Sequence, residues 1–325
     1  MNLQPLGTSD LQVSRVGYGC MPLGGSWDSS PIAPENRAEA VRSIRAALDA
    51  GINFFDHADI YCRGKSEEVF SAIWSEVPNL RGQILLQSKC GIRFAGEPDP
   101  TSPHRFDFSY EHIVRSVEGS LKRLQTDYLD VLLLHRPDPL VEPEEVARAL
   151  SELHKSGKVR WFGVSNHTAA QLDLLRRYVD QPIVANQVEF NIIHPHMLDE
   201  GIIFNQNNPR LTRNEGTIEY CRLHNITLQS WGSMARGVLT GREPGHPNET
   251  IARAADIVSD LAQEKGVPDE AILVAWILRH PARIQAVIGT TQPDRIAASA
   301  LGDTVELTRE EWYRLFTAGR GENLP

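Results

Sequence analysis

An α/β fold closed into a (β/α)8 barrel is what this 325-residue sequence predicts, and three observations carry that prediction. Eight short apolar segments recur along the chain, each followed by a longer stretch with helical periodicity. The segments are hydrophobic almost throughout rather than at alternate positions, as parallel strands covered on both faces should be. The alternation also runs without a linker-like break, so residues 1–325 read as one domain. A doubly wound open sheet is the rival arrangement, but no G-x-G-x-x-G turn follows the first strand.

In chain order the strand candidates are VSRVGYG (13–19), INFF (52–55), ILLQS (84–88), LDVLLLH (129–135), VRWFGVS (159–165), IVANQ (183–187), ITLQS (226–230) and IQAVI (284–288). The helical stretches between them have readable ends. NRAEAVRSIRAALDAG (36–51) aligns Ala40, Ile44, Ala47 and Leu48 on one face and stops at Gly51, a residue suited to the C′ position. In SYEHIVRSVEGSLKRLQ (109–125), Ser109 is placed to cap a helix that keeps Ile113, Val117, Leu121 and Leu124 in step. EPEEVARALSELHKSGK (142–158) opens acidic and closes basic, matching the helix dipole. PDEAILVAWILRHP (268–281) is bounded by prolines, and TREEWYRLF (308–316) offers a capping box through Thr308 and Glu311. The longest irregular segments, 91–109 and 201–216, follow strands, where barrel loops carry function.

Composition narrows the function. A net charge of −9 argues against a general electrostatic mode of nucleic-acid or membrane binding. No apolar run approaches the roughly 20 residues that span a bilayer. The opening MNLQPLGTSDLQVS lacks a basic region followed by an apolar one, so a cytoplasmic protein is expected. Cys20, Cys62, Cys90 and Cys221 have no paired metal-type spacing and read as free thiols. HPH at 194–196 brings two histidines but no nearby Cys or clear carboxylate partner, and reads as loop rather than as a metal site.

In a barrel, chemistry belongs at the C-terminal ends of the strands. At or just past those ends lie Gly19, Asp56 and Tyr61, Lys89, His135, Ser165 and Asn166, Gln187, Trp231 and Gly289. A lone Asp, Lys or His there is an ordinary cap, ion pair or structural group. Asp, Tyr, Lys and His together on the second, third and fourth strands point to a catalytic site.

GINFFDHADIY, SKCG, LLLHRPD, GKVRWFGVSNH and NQVEFN, in that order, resemble the aldo-keto reductase superfamily. SWGSMARGVLTG and VIGTTQPDRI extend the resemblance over nearly the whole chain. LGTSDLQVSRVGYG is similar to the N-terminal β-hairpin that closes the barrel bottom in that family. HRPDP and LTREEWYRLF look like a bacterial oxidoreductase branch of it.

The resemblance implies NADPH-dependent reduction of a small aldehyde or ketone to an alcohol, with hydride from the nicotinamide. It implies a catalytic tetrad of Asp56, Tyr61, Lys89 and His135, with Tyr61 the general acid. A free phenol has a pKa of about 10, so Lys89 is expected to draw that of Tyr61 downward. Asp56 would hold Lys89, and His135 would hydrogen-bond the substrate oxygen. His57 and Asp59 match no catalytic position.

By the same resemblance Ser165, Asn166 and Gln187 contact the nicotinamide carboxamide and Trp231 stacks on its ring. Gly19, Met21, Asp56 and Gly289 join the cofactor contacts, and the backbone around Ser230, Gly232, Met234 and Gly237 passes the pyrophosphate. Thr291 and Arg295 complete the set, Arg295 at the adenosine 2′-phosphate. That last segment departs from many NADPH-preferring members, which carry a lysine shortly before the proline and an asparagine where Ser299 stands. NADPH is expected, with NADH possible.

A cofactor-binding sensor or regulatory subunit with slow turnover is the alternative function. Schiff-base chemistry at Lys89 would leave Tyr61 and Trp231 unexplained. A monomer or small homo-oligomer is expected. Substrate choice would fall to loops 24–34, 91–109 and 201–216, with Trp27, Phe94 and Phe106 as candidate pocket aromatics.

Overall fold

The computed structural model describes residues 1–203, 216–240 and 248–325. The chain folds back on itself before the barrel begins. β1 (Leu3–Pro5) pairs antiparallel with β2 (Gln12–Ser14). Leu6, Leu11 and Val13 of this hairpin are buried against Phe54, Val131, Leu133, Val184 and Ala185 of the barrel strands, so the hairpin plugs one end of the barrel.

VSRVGYG is therefore two elements rather than one strand. Arg15 is the corner: its N–H donates to the Asn2 carbonyl in the hairpin, while its own carbonyl accepts from Ala286 in the barrel. The first barrel strand, β3, is confined to Val16–Gly19.

Seven more strands close the sheet, all paired in parallel: β4 (Phe54–Asp56), β5 (Leu85–Cys90), β8 (Leu129–Leu134), β9 (Val159–Ser165), β10 (Ile183–Glu189), β11 (Thr227–Trp231) and β12 (Gln285–Ile288), which returns to β3. Between β5 and β8 the segment 91–109 forms a small antiparallel pair of its own, β6 (Ile92–Arg93) and β7 (Arg105–Phe106). Two strands lie slightly later than the apolar runs suggest. Asp56 is the last residue of β4 and Trp231 the last of β11, so both are fixed by the sheet rather than carried on loops.

Helices cover the outside, and local chemistry sets their ends. The Ser109 hydroxyl accepts from the His112 N–H at the start of Tyr110–Leu124. Thr308 and Glu311 form the reciprocal box at Arg309–Arg320. Thr168 and Gln171 make a second such box at Ala169–Tyr178, without the usual Glu. Pro34–Asp49 ends before Gly51, whose φ of 80° is the left-handed turn a glycine permits. The proline-bounded stretch narrows to Asp269–Leu278 and is buried from Glu270 to Leu278. No helix among the described residues is long and apolar enough to cross a membrane.

Candidate active site

Register decides which side chains meet at the open end. Gly19 pairs with Asp56 and Asp56 with Gln87, while Lys89 lies opposite Leu133. Past β4 the backbone stays tied to β5, His57 N–H to the Gln87 carbonyl and Asp59 N–H to the Lys89 carbonyl. A short turn at Tyr61–Gly64 follows, with Cys62 and Arg63 both left-handed (φ 49° and 59°). Such a conformation is uncommon for residues other than glycine, and here it belongs to the turn that presents Tyr61 to Lys89.

Lys89 is fully buried, and its Nζ lies 2.8 Å from the Asp56 carboxylate, from the His57 carbonyl and from the Tyr61 hydroxyl. An ammonium has three hydrogens, and here it has three acceptors. Burial pulls the lysine pKa down, but the opposing effects of Asp56 and Tyr61 win, and its net direction is upward.

Tyr61 departs from the sequence expectation. Lys89 does pull its pKa down, yet burial pushes harder in the other direction, with Asp56 adding to it, and the net direction is upward. Tyr61 is thus a neutral phenol that keeps its proton near neutrality. His135 meets it edge to face, with ring centres 5.8 Å apart. Burial first, then the charges of Lys89 and Arg136, hold the His135 imidazole well below its usual pKa, so it is neutral. Its Nδ1 is buried without a partner.

Below Asp56 the barrel interior carries a ladder of amides. Gln87 and Gln187 donate through Nε2 to Asp56 Oδ1 (2.6 and 3.1 Å) and also to Gln229 Oε1 (3.0 and 3.3 Å). Gln229 donates to Gln285 (2.8 Å), and Gln285 to the Ser14 carbonyl in the hairpin (2.8 Å). A carbonyl can only accept, so Ser14 fixes which way Gln285 faces and each amide above it in turn. The two hydrogens of each upper amide satisfy acceptors at both ends. The signal was present in the sequence, where ILLQS, IVANQ, ITLQS and IQAVI each set one glutamine in an apolar strand.

A cavity of about 360 Å³ opens above this corner. Asp56, Tyr61 and His135 line it, and Lys89 lies behind them. So do Ser165, Asn166 and Gln187, as well as Trp231, Gly232 and Met234, with Gly19, Met21 and Gly289 on the remaining wall. Asn166, left-handed at φ 62°, accepts from the Trp231 indole N–H (3.0 Å) and donates to Ser165 Oγ (2.8 Å).

Ser230, Gly237, Thr291 and Arg295 do not line the cavity. The Ser230 hydroxyl donates into the wall, to the Phe190 carbonyl (2.5 Å). Thr291 turns its carbonyl to the Ser43 hydroxyl, and Arg295 is exposed on the first turn of Pro293–Ala300.

Sequence reasoning missed Pro22, Arg136, Ser233, Arg236, Val287 and Ile288, all of which line the cavity. Arg136 had the clearest signal, as the residue after His135. Of the loop aromatics, Trp27 stands edge to face with Tyr61 (6.5 Å), whereas Phe94 lies under Arg63 and Phe106 beside His104. Most of loop 201–216 lies outside the described residues.

His57 and Asp59 do not line the cavity. His57 is wholly buried against the Phe70 ring, neither nitrogen has a partner, and burial lowers its pKa to about 3. Burial pushes the Asp59 carboxyl up to about 7.

The model of the Aldo/keto reductase family matches residues 15–317. The uncharacterized oxidoreductase YcsN of Bacillus subtilis is 35% identical, over 97% of this chain and 97% of its own length. A 6-dehydroglucose reductase of Agrobacterium fabrum is 32% identical, over 99% of this chain and 100% of its own. Both relatives are bacterial, in keeping with the branch expected from the sequence. The solved structure of glycerol dehydrogenase AKR11B4 from Gluconobacter oxydans superposes with a TM-score of 0.80 at 26% identity, covering 100% of this chain and 98% of that one. From the closed parallel barrel and these matches across its length, the chain belongs to the aldo/keto reductase family and is a nicotinamide-dependent oxidoreductase of carbonyl groups.

Proposed function

We propose that the protein reduces an aldehyde or ketone to an alcohol using NADPH, with Tyr61 as the general acid. The observation that carries this reading is Lys89, whose three hydrogens reach Asp56, the His57 carbonyl and Tyr61. An alkoxide developing in the cavity needs a proton, and the neutral Tyr61 hydroxyl holds one. As Tyr61 gives it up, the phenolate left behind already faces the ammonium of Lys89, so the charge is met without rearrangement. Asp56 holds that ammonium in place from the other side. The neutral imidazole of His135 donates a hydrogen bond to the substrate oxygen and fixes its approach.

The cavity fits a nicotinamide ring. A Cβ on Gly289 would meet only the Gly19 carbonyl, at 3.9 Å, so the missing side chain keeps space open for a flat group. The Nε2 of Gln187 is engaged by Asp56 and Gln229, which leaves Oε1 to accept from a carboxamide N–H. Trp231 offers a ring face at the end of β11. When bound, the cofactor supplies the hydride; the protein's part is to hold the carboxamide, face the ring and exclude water.

Arg295 is the proposed 2′-phosphate contact, exposed at a helix start where an anion is favoured. Ser299 takes no part, since its hydroxyl donates to the Arg295 carbonyl inside the helix. NADPH is therefore preferred through one guanidinium, and NADH remains usable. Relatives named 6-dehydroglucose reductase and a structural neighbour named glycerol dehydrogenase support polar, oxygen-rich substrates. The reading takes residues 1–325 as a single domain of a cytoplasmic enzyme, working as a monomer or small homo-oligomer.

The test is a panel of aldehydes, ketones and sugar aldehydes assayed by NADPH oxidation. Turnover with several of them, lost in Tyr61→Phe, is the expected result. Tight NADPH binding with no turnover on any would replace the enzyme by a cofactor sensor.

A further inference from the structure

Two arginines on the cavity, Arg136 and Arg236, are left unused by the proposed reaction, and of these Arg236 is exposed while Arg136 is held in the wall. It follows His135 directly and is half-buried, yet among the described residues it forms no hydrogen bond or ion pair. Its guanidinium lies 5.6 Å from the Trp231 ring centre. Elsewhere in this molecule the half-buried Arg81, Arg93 and Arg123 each hold a carboxylate at 2.9 Å or less. The chain has 42 acidic residues against 33 basic ones, so carboxylates are not scarce. None meets Arg136.

Its position is as informative as its lack of a partner. Arg136, Asn166 and Trp231 are the residues shared between the catalytic cavity and a second one of about 380 Å³ that adjoins it. The one nearby acid on that second wall, Glu189, faces His194 (3.9 Å). Arg136 lines the same cavity as Tyr61 and His135, so it is within reach of a group carried by a substrate whose carbonyl lies between those two.

We propose that Arg136 is the specificity-determining residue of the substrate site, and that the substrates it selects are small carbonyl compounds carrying a carboxylate a few bonds from the reacting carbon. This rests on the reductase reading and deepens it by naming a substrate class. A carboxylate is favoured over a phosphate because one planar guanidinium matches it by paired hydrogen bonds, and of the three residues shared by the two cavities only Arg136 carries a charge.

The test uses two probes with one skeleton, 4-oxobutanoate and its neutral counterpart 4-oxobutanamide, each at saturating NADPH. The wild type should favour the acid in kcat/KM by ten-fold or more, mainly through KM. Arg136→Met should lower that preference ten- to hundred-fold, and Arg136→Lys, which keeps the charge but loses the fork, should restore part of it. A wild type indifferent to the charge overturns the proposal, as does a preference unchanged in Arg136→Met.

If Arg136→Met weakens NADPH binding and slows both probes equally, the guanidinium serves the cofactor and the proposal fails. If neither probe is turned over, the wider carbonyl panel decides the reductase reading separately. Calorimetry with succinate then decides the site: binding to wild type that is lost in Arg136→Met, with an unchanged melting temperature, supports it, and no binding to wild type overturns it.

Discussion

The two sides of the cavity are built on opposite plans. Around Asp56 and Lys89 the hydrogens are assigned: the ammonium meets three acceptors, and Asp56 Oδ1 takes two amide donors from a ladder anchored in the hairpin. Toward the second cavity, among the described residues, Arg136 forms no hydrogen bond or ion pair, and Glu189 faces only a histidine at 3.9 Å. The first side is preorganised, so in the proposed reaction charge developing on Tyr61 would find its partner in place. The second is completed only by a ligand. Mutations on the two sides should therefore read differently, as lost turnover on one and lost affinity or selectivity on the other.

The largest effect should come from the assigned side. Tyr61→Phe keeps the ring and its contacts with His135 and Trp27 but removes the proton. Turnover should fall by about 10²–10⁴-fold, while NADPH affinity, followed by fluorescence titration, stays near wild type. A turnover close to wild type would mean that another group protonates the substrate.

Arg295→Ala probes the open side at the far end of the proposed cofactor path. A guanidinium–phosphate contact contributes roughly 1.5–3 kcal/mol, so the NADPH dissociation constant should rise about ten- to hundred-fold. The NADH value should scarcely move. Equal weakening of both cofactors would show that Arg295 supports the fold of its segment and does not read the phosphate.

Gln229→Leu tests whether the ladder positions or merely packs. It removes the acceptor shared by Gln87 and Gln187, and strands Gln285 Oε1. With Asp56 and Lys89 less firmly aimed, kcat should fall on the order of ten-fold with little change in cofactor affinity. A lower melting temperature with kcat intact would reduce the ladder to packing.

What the sequence made legible follows the same division. The barrel was readable because parallel strands buried on both faces have few polar positions. That Asp56, Lys89 and His135 would lie near one another was readable because they sit at strand ends whose order fixes their neighbours; their catalytic roles came from the family resemblance. Arg15 as a corner was not, since an apolar run gives no sign of where its hydrogen bonds change partners. Nor was the direction of the Tyr61 shift, a contest between burial and a nearby charge that no spacing encodes. Arg136 was visible as a residue, but its lack of a partner is a three-dimensional fact.

The last expectation concerns acid stability, where the buried histidines should be the weak point. His57, His135 and His167 are buried and neutral; burial lowers His57 to about 3 and His167 to about 4, and His135 well below its usual value. In the unfolded chain each titrates near 6.5. Below that pH the unfolded state binds more protons than the folded one, so stability is full above about 6.5 and is lost as pH falls.

Asp59 works in the opposite sense. Its folded pKa of about 7 lies above the unfolded value, so the folded state holds the extra proton and stability declines as pH rises through that window. Three histidines outweigh one carboxyl, so the net slope between about pH 6.5 and 4.5 should be a loss on acidification. Each buried group contributes about 1.4 kcal/mol per pH unit where only one state is protonated.

His57 isolates one of these contributions, because neither of its nitrogens has a partner to lose. Urea unfolding of His57→Leu at pH 7 and pH 5 should show a smaller acid loss than wild type, by about 1–2 kcal/mol over the two units. The same acid loss in both proteins would mean that His57 does not take up a proton on unfolding, and so that burial does not lower its pKa in the folded state.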